Sequence, residues 1–219
     1  MKFNLVIFLL SFVLLSSTTN AQRSLTEGTL VYNMSVETGS GEPKIADMFD
    51  GATTTIYLKG SMSRTELVSS LGREATIHDA SAGTGVILKD YSGQKLMITM
   101  TGQDWEQNNN KYEGITFENT GVTQKIAGFN CKKAIAKLKD GTTFTVFYTP
   151  EVNVANKGYD AQFKTLPGLP VQYEMQSGKM TLKFTLASIS YNSVSTSKFE
   201  IPKSGYRVLT YAETKQNHN

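Results

Sequence analysis

The feature that most constrains the fold of this chain is an alternation of apolar and polar residues with a period of two. In the segment GTLVYNMSVE, Leu30, Tyr32 and Met34 share one face, and Asn33 and Ser35 share the other. The same alternation recurs in TTTIYLK, in KLMITM and in KMTLKFTLAS. Because successive side chains of a strand point to opposite faces of a sheet, this pattern predicts half-buried β-strands along most of the chain.

Turn signals separate these segments, whereas helical signals are weak. Asp140-Gly141 predicts a hairpin in which both turn residues have positive φ, and Tyr91–Gly93 predicts a second hairpin. Short helical turns are expected only in QDWEQNNNKYEG and VANKGYDAQF. We therefore expect a mainly β protein, a single curved antiparallel sheet (half-barrel) with few short helices. A flat sheet of this size would leave its apolar face and its edges uncovered, so the sheet is expected to curl.

The N-terminal sequence MKFNLVIFLLSFVLLSSTTNAQ has the pattern of a secretory signal peptide. Lys2 precedes an apolar run that ends near Leu15, and cleavage is expected after Ala21. The run is short for a membrane span of about 20 residues, and a retained N-terminal anchor is the alternative. We expect a signal peptide over residues 1–21, one domain over 22–213 and a flexible tail over 214–219. The mature chain would have no transmembrane span and would be exported, either to the periplasm of a bacterial envelope or out of the cell.

Charge and cysteine content bear on the partners. The formal net charge of the chain is +3, and removal of residues 1–21 takes away Lys2 and no acid, which leaves +2. The densest basic stretch, CKKAIAKLK, has strand spacing, so a solvated face is favoured over a nucleic-acid contact, and no nucleic-acid partner is expected. Cys131 is the one cysteine and cannot form an internal disulfide. It is either a small buried hydrophobe, which we favour, or a reactive thiol.

Residues suited to catalysis or metal binding are sparse. The chain has two histidines, His78 and His218. His78 precedes Asp79, so a general base or a metal ligand is conceivable, but metal sites usually need three or four convergent ligands. Asp47 and Asp50 lack the spacing of a calcium loop, and no phosphate-loop pattern is present. We expect no catalytic residue, no metal and no cofactor, and hence a protein that is not an enzyme.

The segment FKTLPGLPVQYEM contains a rigid corner. Pro167-Gly168 predicts a type II turn with positive φ at the glycine. The prolines that follow Leu166 and Leu169 hold both leucines in extended conformations. Such a leucine corner either plugs one end of a curled sheet or stays exposed as a contact for a partner or a lipid.

Several segments resemble an exported bacterial family. TLPGLPVQYE is similar to the motif of the GLPGLI family, envelope proteins of unassigned function, and departs from it at Thr165 and Pro170. QKIAGFNCKKAIAKLKDGTTFTVFYTPEV is similar to a segment of a related exported domain of unknown function, through Ile126, Gly128, Phe129, Cys131, Tyr148 and Thr149. FEIPKSGYRVLTY resembles a closing element through Phe199, Ile201, Pro202, Gly205 and Tyr206, and YLKGSMSRTE looks like an early Gly…Arg–x–Glu hairpin.

This resemblance implies a half-barrel similar to the outer-membrane lipoprotein carriers, whose relatives hold acyl chains or other apolar ligands in the concavity. The first functional hypothesis is therefore a non-catalytic envelope module that binds a lipid or another apolar small molecule against methionine and aromatic side chains. The predicted ligand-binding residues are Tyr32, Met34, Met97, Met100, Phe144, Tyr148, Leu166, Leu169, Met180 and Phe184. The alternative is a structural or accessory envelope protein that fills the concavity with its own side chains and docks a protein partner.

Overall fold

Strands make up most of the described part of the protein. The structure is a computed structural model, and it describes residues 22–38, 48–177 and 180–216. The strands are β1 (Arg23–Leu25), β2 (Glu27–Thr38), β3 (Thr53–Lys59), β4 (Met62–Ser69), β5 (Gly72–Asp79), β6 (Thr84–Tyr91), β7 (Gln94–Met100), β8 (Thr116–Ile126), β9 (Phe129–Lys137), β10 (Thr143–Thr149), β11 (Val152–Val154), β12 (Leu169–Ser177), β13 (Met180–Ser190) and β14 (Arg207–Thr210). The helices are α1 (Gly102–Asn109) and α2 (Tyr211–Gln216), and 3-10 turns lie at Asn110–Tyr112, Lys157–Tyr159, Ala161–Phe163 and Thr196–Phe199.

The predicted ends of the domain fall largely on residues that the structure does not describe. The signal peptide predicted over 1–21 lies outside the described residues. Of the tail predicted over 214–219, residues 214–216 belong to α2, and 217–219 lie outside the described residues.

Twelve of the strands form one sheet. One of its end strands is parallel to its neighbour, and the other is antiparallel. The order is β14-β7-β6-β5-β4-β3-β2-β13-β12-β10-β9-β8, and β1 pairs separately with β11. All neighbours in the large sheet are antiparallel except β14 and β7, which are parallel. Within the described residues, β14 and β8 do not pair with each other, so the sheet is open. The prediction of a mainly β protein built on a single antiparallel sheet with few short helices is confirmed, except that β14 joins the sheet in parallel and that β1 and β11 pair apart from it.

The alternation of the sequence sets which face each residue occupies. In β3 the residues Thr54, Ile56 and Leu58 are buried, and those between them are half-buried. We call the face that contains Ile56 the inner face and the opposite face, which contains Tyr57, the outer face. Cross-strand pairing places Ile77 of β5 on the outer face, because Ile77 pairs with Arg64, the partner of Tyr57.

The two predicted hairpins form, but one has a different turn. At the β6–β7 hairpin, Ser92 and Gly93 both have positive φ, as such a two-residue turn requires. At the β9–β10 hairpin, positive φ occurs at Gly141 and not at Asp140, so the predicted turn type was wrong. The side chain of Asp140 instead accepts a hydrogen bond from Thr142 N at 2.8 Å.

A stretch of the chain that we call the inner segment, residues 152–169, fills the inner face around β2, β12 and β13. Its side chains Val152, Phe163 and Leu166 are buried in the same cluster as Tyr32 of β2. Tyr32 Oη donates a hydrogen bond to Pro170 O at 2.8 Å, just after the inner segment. The rings of Tyr32 and Tyr173 on β12 are 5.9 Å apart although β13 lies between their strands, as expected where a sheet curves around this face.

The outer face of β4–β7 is covered by a second stretch, the outer segment, residues 191–206. Its Val194 and Phe199 pack on Ile77 and neighbouring side chains. Val194 N donates to Glu27 Oε1 at 2.7 Å, and Arg64 Nη1 donates to Lys198 O at 3.2 Å. These bonds hold the outer segment across the sheet before it enters β14.

Candidate functional site

The predicted ligand-binding residues do not form one surface. Six of them are buried together around the inner segment: Tyr32, Met34, Tyr148, Leu166, Leu169 and Phe184. Phe144 packs against that cluster, and Met180 is half-buried at one end of β13. Met100 belongs to a separate cluster with Ile98 and Tyr211, whereas Met97 lies on the outer face beside Leu88. A ligand at the six buried side chains would have to displace the inner segment, so their role in binding stays a prediction.

The leucine corner plugs the sheet. Leu166 and Leu169 are 1% and 0% exposed, so neither is available as a surface contact. Gly168 does not have positive φ, and its N–H donates to Leu166 O at 2.9 Å, so the predicted type II turn was wrong. The reason for glycine here is close approach, because a Cβ at this position would overlap Thr149 O.

The inner segment contains a half-buried acid, Asp160. Asp160 Oδ1 accepts a hydrogen bond from Gln162 N at 2.9 Å and caps the following 3-10 turn. Burial raises the pKa of Asp160 to about 6, against the effect of that hydrogen bond. Burial, and then the nearby Asp160 charge, raise the pKa of the Tyr32 phenol above its usual value. Asp160 therefore changes charge close to neutral pH.

His78 is a packed aromatic residue of the inner face. It is 4% exposed, and its ring stacks on Trp105 with centroids 3.9 Å apart and planes 7° from parallel. Gly85 gives the indole room, since a Cβ there would lie 2.6 Å from Trp105 Cε3. Neither ring nitrogen has a hydrogen-bond partner among the described residues, and burial lowers the pKa of His78. The imidazole is therefore neutral at neutral pH.

The other residues considered for metal binding or reactivity have structural partners or lie elsewhere. Asp50 Oδ1 accepts a hydrogen bond from Val36 N at 3.2 Å, whereas Asp47 and His218 lie outside the described residues. In the described ranges, no three His, Cys, Asp or Glu side chains are grouped closely enough to hold a metal ion. Cys131 is buried, and burial raises the pKa of its thiol to about 11, as expected of a small buried hydrophobe.

An apolar groove opens on the outer face, beside the outer segment. This outer groove has a volume of about 370 Å³, and its apolar lining consists of Met62, Ile77, Val86, Met100, Phe199 and Ile201. Ile201 is 48% exposed. The two carboxylates at the groove already accept hydrogen bonds, Asp79 from Ser81 and Asp104 from Thr101. The accessible chemistry of the outer groove is therefore mainly apolar.

The edge strand β8 is the most exposed strand of the sheet. It pairs with β9 on one side and has no strand partner on the other among the described residues. None of its eleven residues is buried. A bulge between Asn119 and Thr123 interrupts the pairing with β9, and Val122 within it is 49% exposed. The edge thus presents unpaired backbone N–H and C=O groups.

Sequence reasoning missed Asp160, the outer groove and the exposure of β8. The groove combines residues of β4, β5, β6 and the outer segment, which long-range pairing brings together. One available signal was the run ENTGVTQK, whose polarity on both faces is unusual for a strand with a buried side.

No protein-family model matches the sequence, and no curated protein matches it. Among solved structures, the chain is similar to PNGF-II at 15% identity with a TM-score of 0.49, covering 88% of this chain and 33% of that one. It is also similar to the MucA/MucB complex structure of Pseudomonas aeruginosa (10% identity, TM-score 0.38, 80% and 56% covered). A β-barrel-like protein of a domain of unknown function, DUF1849, from Brucella abortus gives 10% identity and a TM-score of 0.36, with 78% and 99% covered.

The chain spans about a third of the PNGF-II chain and little more than half of the chain matched in the MucA/MucB complex. At these identities and TM-scores, no family, activity or partner is transferred to this protein. Membership of the GLPGLI family stays a prediction. Within the described residues, no helix is long and apolar enough to cross a membrane.

Proposed function

We propose that the protein is an exported, non-catalytic accessory module of the bacterial envelope that docks an extended segment of a partner protein along β8. The observation that supports this most directly is the unpaired, solvent-exposed edge of β8. An extended peptide can add to such an edge through backbone hydrogen bonds. The inner segment fills the inner face around β2, β12 and β13, which favours a function on the outside of the sheet.

The charge of the β8–β9 ribbon indicates the kind of segment it would accept. Four lysines lie on the two strands, Lys125, Lys132, Lys133 and Lys137, against one acid, Glu118. An acidic extended segment therefore fits best. Because the bulge divides the pairing of β8 into the runs Thr116–Asn119 and Thr123–Ile126, the docked segment is expected to be short.

Site-specific photo-crosslinking in the native envelope tests this proposal. A benzophenone amino acid replaces Val122 on β8 or, as a matched control, Val208 on the other edge strand, β14. Both valines are exposed, at 49% and 55%. We expect a discrete adduct with a second protein from position 122 and none from position 208. The K125E/K132E variant should lose the adduct. An adduct of equal yield at both positions, or none at position 122, would contradict the proposal.

The outer groove supports a second candidate function, binding of an apolar ligand on the outer face. Its volume of about 370 Å³ is within the usual range of small-molecule sites, and its lining is largely apolar. Delipidated protein is incubated with envelope lipids, purified again and analysed by mass spectrometry. We expect retained lipid in the wild type, less in I201E, and no change in V122E, where an exposed valine of β8 is replaced. Retention that I201E does not reduce would rule out the outer groove as the site.

A further inference from the structure

A small hollow on the outer face is bordered by cationic side chains from three of the four adjacent strands β4–β7. It has a volume of about 240 Å³ and is bordered by Arg64 of β4, Arg73 of β5, Lys95 of β7, Asp90 of β6 and Tyr206. Pairing places Arg73, Asp90 and Lys95 in one row across the sheet. Buried Ala75 and Leu88 form the floor.

The guanidinium of Arg64 is fixed in place before any ligand binds. Its side chain is 14% exposed, Nε donates to Glu66 Oε1 at 2.6 Å, and Nη1 donates to Lys198 O at 3.2 Å. An arginine has five N–H donors, so three of them have no partner among the described residues. A half-buried, oriented guanidinium with unused donors is well suited to bind an oxyanion.

The charges around the hollow are unbalanced. Asp90 is the one acid of the lining, and it pairs with Lys95, with 3.3 Å between Asp90 Oδ2 and Lys95 Nζ. Glu66 neutralises one side of Arg64. Arg73 forms no ion pair with any described residue, although it lies across from Asp90 in the sheet. Three cations and two carboxylates therefore lie in or beside the hollow, a net charge of +1, and Arg73 is the cation left to attract an anion.

We propose that this hollow binds one phosphate group. Its volume lies below the range of drug-sized sites, so it suits a single charged group rather than a whole organic molecule. Because the three cations lie on different strands, each can contact a different oxygen of a tetrahedral oxyanion. The phosphate is either a free anion or the head group of a phosphate amphiphile. In the second case, the apolar chain would lie toward the outer groove. On β5, Ile77 of the groove is two residues from Ala75 of the hollow, and on β6, Val86 of the groove is two residues from Leu88 of the hollow.

Calorimetric titration with inorganic phosphate and with dodecyl phosphate, below its micelle concentration, tests the proposal. We expect saturable binding at one site per chain and at least tenfold weaker binding in R73A/K95A. K89A should change the affinity less than twofold. Lys89 lies on the face of β6 opposite the hollow, where it pairs with Glu74 of β5. The charge-preserving variant R73K/K95R should retain binding. If R73A/K95A does not fold, R73Q/K95Q, which removes both charges but keeps long polar side chains, takes its place with the same expected loss.

The two ligands distinguish the sources of the phosphate. Equal affinity for both supports a free anion, whereas tenfold tighter binding of dodecyl phosphate, lost in I201E, supports an amphiphile head group. Absence of binding by either ligand, or equal binding by the wild type and R73A/K95A, would overturn the proposal. Neither result depends on docking at β8, since the hollow and β8 lie on different strands.

Discussion

Asp160 is a residue whose charge opposes folding at neutral pH. Its pKa is about 6 in the folded protein, against 3.8 for an aspartate in water, so the folded state binds the proton more tightly. The stabilisation that comes from this tighter proton binding is therefore fully present below pH 3.8, and it is lost as the pH rises through 6. D160N keeps a side-chain oxygen for the cap and removes the charge. We expect it to raise the free energy of unfolding at pH 7.5 by about 1–2 kcal/mol, allowing for partial solvent access.

Urea unfolding at pH 7.5 and pH 4 measures this effect. The gain of D160N should shrink towards zero at pH 4, where the aspartate is largely protonated in the folded wild type. E106Q, at an exposed acid on α1, should change stability by less than about 0.5 kcal/mol at either pH. A gain that is the same at both pH values would show that the charge of Asp160 is not its cause.

His78 has the opposite pH dependence. Burial lowers its pKa in the folded state, so its contribution to stability is present above pH 6.5 and is lost as the pH falls towards the folded pKa. H78F keeps an aromatic ring against Trp105 and cannot be protonated. We expect the stability difference between H78F and the wild type to move in favour of H78F between pH 7 and pH 5. A pH-independent difference in urea unfolding would contradict a buried neutral imidazole.

At the scale of elements, the leucine corner is a packing unit between the inner segment and β12. Leu169 is fully buried, so L169A should lower the free energy of unfolding by about 2–5 kcal/mol through lost burial and the remaining cavity. V208A, at an exposed edge position, should cost less than about 0.5 kcal/mol. Urea denaturation of the two variants compares them directly. A loss below about 0.5 kcal/mol for L169A would mean that the corner is not a plug.

The neighbouring glycine permits the corner to approach β10. G168A places a methyl group against Thr149 O, a backbone atom that cannot move aside, so a destabilisation of about 1–3 kcal/mol is expected. G102A is the matched control, because its new Cβ meets no atom closer than Gly83 O at 3.7 Å. Thermal unfolding followed by circular dichroism measures both variants. Equal melting temperatures for G168A and the wild type would exclude the close approach.

The sequence predicted strands better than turns. The period of two determines which residues share a face, and β2 and β3 follow it with Leu30, Tyr32 and Ile56 buried. Turn conformation depends on more than the turn residues. Gly141 alone has positive φ because the loop has an additional residue, with Leu138 N donating to Thr142 O. The need for glycine at position 168 comes from the nearby carbonyl of Thr149, nineteen residues before it. A local sequence pattern does not contain this contact.

At the scale of the whole molecule, the sequence predicted one curled sheet but not how its inner face is covered. Between β11 and β12, the inner segment has mainly irregular structure, which is typical of a surface connection, yet Phe163 and Leu166 are buried. Its placement depends on contacts such as that between Tyr32 and Pro170, which are 138 residues apart. The hollow on the outer face also depends on long-range pairing, since Arg64, Arg73 and Lys95 become neighbours only when β4–β7 pair in register.

The inner segment fills the inner face around β2, β12 and β13, and we propose that the protein functions through the outside of its sheet. Methyl NMR spectra of the protein, with labelled leucine, isoleucine and methionine, test this during titration with dodecanoic acid. We expect no shift for the methyl signals of Leu30, Leu166, Leu169 and Met34, whatever happens at Ile201 of the outer groove. Saturable shifts of those inner-face signals would show that a ligand enters the space occupied by the inner segment, and would contradict a function limited to the outside of the sheet.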